Sequence, residues 1–84
     1  MTKPISCEAH DYFEIVCMRH SKVQLTLVDH QTVLGIAKDI VRKGDRELIV
    51  VEAAQGAVEV DLTEVMILEA LDNSVDAHNF EMVF

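Results

Sequence analysis

The sequence predicts a mainly β fold: one short N-terminal α-helix followed by five to six short strands that form a small, strongly bent antiparallel barrel. Three observations carry this. A helical apolar period occurs once, near the N-terminus. From Lys22 onward apolar residues alternate with polar ones at period two, and turn-forming residues interrupt those runs at short intervals.

Residues 1–6 read as a loose or strand-like lead-in, with Cys7 expected at its end. Residues 11–20, DYFEIVCMRH, read as the helix, because Phe13, Val16, Cys17 and His20 recur at the spacing of one helical face. Asp11 and Glu14 have the spacing of a capping box at its start. In VQLTLVDHQTVLGI, Val23, Leu25 and Leu27 alternate with Gln24 and Thr26, the DHQ segment supplies turn chemistry, and a second β-rich run follows; this predicts a hairpin. Gly35 marks a bend or bulge in the second strand. Lys43, Gly44 and Asp45 make the next turn. Leu48 to Ala53 is a strand rich in β-branched residues, Gln55 and Gly56 turn tightly, and Val58, Val60 and Leu62 then alternate with Glu59 and Asp61, so the acids are expected to face outward. LTEVMILEAL reads as a short turn followed by a strand. The tail HNFEMVF, with Phe80, Met82 and Phe84 in alternation, reads as a final strand able to pair with an earlier one and close the sheet. A closed barrel disposes of the exposed edges that a short chain has little material to cover.

At 84 residues and 9.4 kDa the chain is expected to form one domain over residues 1–84. Half of it is hydrophobic, which argues against disorder. Two cysteines do not make the framework of a secreted scaffold, and the first twelve residues hold no apolar run of signal-peptide length, so a cytoplasmic location is expected. The net charge is −8, and all seven basic residues lie at or before Arg46. Affinity for nucleic acid rests on cations that displace counterions from phosphates, so the balance points to a basic protein surface as partner. A purely solubilising role for the acids is the plainer alternative.

The stretch CEAHDYFEIVC concentrates the candidate chemistry. Cys7, His10, Cys17 and His20 make two C-x2-H pairs, a ligand set that zinc accepts. Against it, Cys17 and His20 share the face of Phe13 and Val16, where a cysteine acts as a small hydrophobe. A Cys7 to Cys17 disulfide inside one helix would have to span about 15 Å. No motif of a hydrolase, phosphate loop or metalloprotease is present, and no cofactor, metal or catalysis is expected. His30 and His78 fall in turns. On a helix, Glu8, Asp11, Glu14, Ile15 and Met18 gather on the side away from Phe13 and Cys17, flanked by Tyr12: a face of carboxylates, aliphatics and an aromatic suited to a basic partner. Asp11 and Glu14 equally favour the positive end of the helix. Lys38, Arg42, Lys43 and Arg46 cluster around the second strand and its turn, either as a solvated turn or as a phosphate contact.

With PISC, the D-x-x-E pair followed by Cys17, VQLTL, KDIV and above all LIVVEAAQGAVEVDL, the chain resembles the Rof family, also called YaeO, small bacterial inhibitors of the transcription termination factor Rho. The resemblance runs from about Pro4 to Leu62 and more weakly to the end. It implies an Sm-like β-barrel preceded by a helix, and a Rho-binding antiterminator, monomeric when free, that occupies Rho's N-terminal RNA-binding region and keeps RNA out. By the same resemblance the contacts fall on Glu8, His10, Asp11, Tyr12 and Glu14, with a second contribution from Lys43 and Asp45. Ala9 and His10 depart from the family pattern, standing where an acid and an aromatic are expected, and Tyr12 is positioned to take the aromatic role. An Sm-like RNA-binding module is the alternative reading.

Overall fold

The computed structural model describes residues 7–71, 73–75 and 78–84. The expected lead-in, residues 1–6, lies outside them. The chain forms helix α1 (Cys7–Arg19), strands β1 (Lys22–Leu27), β2 (Thr32–Lys43), β3 (Arg46–Ala53) and β4 (Gly56–Asp61), a 3-10 turn (Leu62–Glu64), and strands β5 (Val65–Ala70) and β6 (Phe80–Val83). All neighbouring strands are antiparallel, in the order β4-β3-β2-β1-β5-β6. The mainly β fold, the six strands and the single preceding helix are as expected. The tail pairs with β5, but among the described residues no ladder joins β6 to β4, so the sheet curls without closing.

The curl begins in β2. Its first half, through Ile36, pairs with β1, and from Gly35 to Lys43 it pairs with β3. A strand that passes between two ladders must turn through a corner, and Gly35 stands where it does so: a Cβ there would lie 2.3 Å from the Glu52 carbonyl oxygen. The register irregularity itself comes three residues later, where Lys38 is the extra residue between Ala37 and Asp39. The other two glycines lie at hairpins with positive φ, Gly44 at 66° and Gly56 at 125°.

Period-two alternation places Val23 and Leu25 of β1, Ala37 of β2, Ile49 and Val51 of β3, Val60 of β4 and Leu68 and Ala70 of β5 on one concave face. Phe13, Val16 and Cys17 of α1 close over it. The Phe13 ring also lies 5.3 Å from that of Phe84, which ties the helix to the C-terminal strand. No helix of the described residues is long and apolar enough to cross a membrane.

Three expectations need correction. The helix starts at Cys7, four residues before Asp11, so Asp11 lies in its second turn and forms no capping box; Cys7 belongs to the helix and not to a lead-in. The apolar stripe begins only at Phe13, so the first turn leaves no periodic signal. His20 is exposed instead of sharing the core face, because the helix ends before it. Its φ is +50°, the Ser21 amide donates to Val16 O at 2.9 Å and the His20 amide to Cys17 O at 3.2 Å, the pattern of a Schellman cap with histidine where glycine is usual. Asp61, expected outside, is only 9% exposed, because the alternation stops where β4 runs into the 3-10 turn.

Candidate partner interface

Helix α1 shows two unlike sides. Phe13, Val16 and Cys17 are spent on the core, which leaves Asp11, Glu14 and Met18 exposed, Met18 at 78%, with Ile15 half-buried beside them. The structure therefore brings together most of the face expected from the sequence; the Glu8 side chain lies outside the described residues. Tyr12 is not a free aromatic. It is half-buried against the core, and its ring centroid lies 5.4 Å from that of Phe80.

His10 occupies a position that its spacing along the chain did not reveal. Its Nε2 lies 2.7 Å from Glu47 Oε2 on β3, and its Nδ1 lies 3.2 Å from Glu14 Oε1 on the next helical turn. The imidazole thus links a strand carboxylate to an exposed helix carboxylate. Glu47 was not among the residues expected in the site, since a contact between positions 37 residues apart leaves no periodic mark. Beside this link runs an open groove of about 480 Å³, lined by Glu14 and Cys17 of α1, Lys38 and Asp39 of β2, and Glu47 of β3.

Lys43 and Asp45 lie at the β2–β3 turn, both exposed. Glu47, two residues beyond Asp45, carries the contact to His10, so the helix face and this turn flank the same end of β3. Three of the four cations around the turn are engaged with acids: Lys43 Nζ with Glu59 Oε1 at 2.7 Å, Arg46 Nε with Asp61 Oδ2 at 2.9 Å, and Lys38 Nζ with Glu52 Oε2 at 3.3 Å, while Arg42 Nε donates to Gly44 O at 3.4 Å. A patch in which most of the cations already face carboxylates is a weak match to a polyphosphate.

Of the expected zinc set, the Cys7 side chain lies outside the described residues, and His10, Cys17 and His20 do not come together as a ligand group. His10, Asp11 and Glu14 bring their side-chain nitrogen and oxygen atoms within 4.8 Å of one another, without Cys17 or His20. Both His10 ring nitrogens lie close to carboxylates, Nε2 to Glu47 and Nδ1 to Glu14. Burial, then the charges of Asp39 and Glu14, push the Cys17 thiol up to about 12. A thiol held protonated is neither a nucleophile nor a ready metal ligand.

The family model described as modulator of Rho-dependent transcription termination (ROF) matches residues 4–83. The protein named rof of Escherichia coli K12 is 33% identical over 63 residues, which is 75% of each chain. The Shigella flexneri protein of the same name matches to the same extent. Among solved structures, the Vibrio cholerae O395 chain described as YaeO bound to magnesium superposes with a TM-score of 0.76 at 24% identity, over 88% of this chain and 95% of that one. At that identity the likeness speaks to the fold.

Proposed function

Since the chain belongs to the family of modulators of Rho-dependent transcription termination, we propose that it inhibits termination by binding the N-terminal, RNA-binding region of Rho and blocking RNA access to it. It does so in the cytoplasm, as a monomer when free, without cofactor or catalysis. The observation that carries this reading is the composition of α1's outward side: Asp11 and Glu14 project from a helix anchored by Phe13, Val16 and Cys17, with Met18 exposed next to them. Carboxylates flanking a desolvatable side chain complement a basic surface, and an RNA-binding surface is basic. The β2–β3 turn with Lys43 and Asp45 provides a second, smaller contact at the same end of the molecule. The pairing of Lys38, Lys43 and Arg46 with acids supports a protein partner over RNA.

The test is calorimetric titration of the protein into Rho, alone and with a competing C-rich RNA, using the wild type and the doubly reversed Asp11→Lys, Glu14→Lys variant. The reading expects saturable binding that RNA competes away, and loss of binding and of antitermination in a variant whose circular dichroism is unchanged. A folded double variant that still relieves termination fully would refute the assigned face. Binding of the protein itself to RNA at low salt would favour the Sm-like RNA-binding module instead.

A further inference from the structure

The two contacts of His10 are not equivalent. Nε2 approaches Glu47 with hydrogen-bond geometry at 2.7 Å, whereas Nδ1 faces Glu14 at 3.2 Å as a charge contact only. A neutral imidazole carries one N–H. With that N–H directed at Glu47, Nδ1 carries no proton and lies 3.2 Å from the Glu14 carboxylate, so two electron-rich atoms sit side by side. A proton on Nδ1 turns this opposition into an ion pair. The carboxylate that gains the imidazolium is Glu14, whose side chain is 54% exposed on the outward side of the helix.

We propose that proton binding at His10 and partner binding at α1 compete for the Glu14 carboxylate, so that the protein's grip on a basic surface is weakened by acid. This rests on the function proposed above and concerns the regulation of that same face. The sign follows from Coulomb's law: an imidazolium in contact with Glu14 neutralises it and repels the Lys or Arg that would otherwise pair with it. Linkage makes the effect reciprocal, so a partner cation placed on Glu14 expels the proton from Nδ1. The charged and titratable groups around the imidazole and its groove are Asp11, Glu14 and Cys17 from α1, His20 just beyond its end, Lys38 and Asp39 from β2, and Glu47 from β3. Lys38 is occupied by Glu52 at 3.3 Å, and the Cys17 thiol stays neutral. Glu14 is the group in this set that both touches His10 and projects from the face assigned to the partner.

The decisive measurement is the dissociation constant for Rho between about pH 5.5 and pH 8, the range over which imidazoles change charge, for the wild type and for His10→Gln. Glutamine retains a donor for Glu47 and carries no charge. The expected result is wild-type binding about three- to tenfold weaker at the acid end and a flattened profile for His10→Gln, each protein being compared with its own affinity at about pH 8. Identical pH profiles for the two proteins overturn the proposal. Failure to bind Rho at any pH is a failure of the functional reading, and the free protein then decides this one. On acidification the Glu14 carboxyl 13C resonance should move together with the His10 ring nitrogens in the wild type and stay still in His10→Gln. A Glu14 signal that ignores His10 sinks the coupling irrespective of Rho.

Discussion

Arg46 donates from Nε to Oδ2 of Asp61 at 2.9 Å across the β3–β4 pair, while Oδ1 of the same carboxylate accepts the Thr63 amide at 2.9 Å and the Thr63 hydroxyl at 2.7 Å. One side chain thus joins a strand ladder to the 3-10 turn that follows it. Burial acts most strongly on this carboxyl and pushes its pKa up, but the hydrogen bonds from Thr63 and Arg46 together hold it below the ordinary carboxylate value.

Because the native pKa of Asp61 is lowered, its stabilisation is complete above the unfolded-chain value of about 3.9 and is lost as pH falls through the lower native value. Asp61→Ala should lower stability at pH 7 by about 1 kcal/mol or more, through the lost cap and the orphaned Thr63 amide. In urea unfolding the difference between wild type and variant should shrink as the solution is taken below pH 4. A constant difference across that range would mean that the charge of Asp61 contributes nothing.

Gly35→Ala should destabilise the fold by about 3 kcal/mol, at the upper end of overpacking costs. The obstruction is backbone, with Glu52 O at 2.3 Å and Glu52 C at 2.8 Å, so β2 and β3 must separate. A thermal unfolding scan against Ala57→Gly, a change at an exposed strand position of β4, would separate a steric cause from ordinary glycine propensity.

His20→Gly should raise stability by about 0.5–1 kcal/mol, because a residue with a Cβ is disfavoured at φ +50° and glycine is not. In a domain of this size that corresponds to a rise in Tm of roughly 2–8 °C. His20→Ala retains the steric problem and should give no comparable gain.

Ser21, next in the chain, is 2% exposed, and its Oγ has no hydrogen-bond partner among the described residues. A buried, unsatisfied hydroxyl costs about 1–3 kcal/mol, so Ser21→Ala should be stabilising in chemical denaturation. A loss of stability would show that the hydroxyl has a partner after all.

These sites divide by how far their causes extend along the chain. The strands were legible because alternation is local: Ile49, Val51 and Val60 face the core as their spacing predicts, and the turns at Gly44 and Gly56 follow from residues that tolerate positive φ. The helix was legible on its buried side, through Phe13, Val16 and Cys17, and its start was misplaced because Asp11 and Glu14 imitate a cap. Its end was hidden because histidine, not glycine, occupies the left-handed position. For Asp61 alternation gave the wrong face, since the 3-10 turn, not the strand, sets its direction. His10 and Glu47 meet only because α1 folds back against β2, which brings His10 beside the start of β3, and Tyr12 meets Phe80 for the same kind of reason. Helical spacing predicted which side of α1 faces outward, and tertiary contacts determine which of its residues are free to act.

The passage of β2 from one ladder to another bears on the order in which the molecule assembles. The meander β2-β3-β4 joins sequence neighbours through two tight hairpins, so its closure entropy is small. The β1–β5 ladder, which begins at Val23 and Ala70, must instead bring distant parts of the chain together, and β6 joins only after β5 is in place. Helix α1 spans this division: its His10 is held by β3 in the meander, and its Phe13 packs on Phe84 at the late-arriving end. The outward side of α1 therefore rests on two kinds of contact, one to the local meander and one to the far end of the chain.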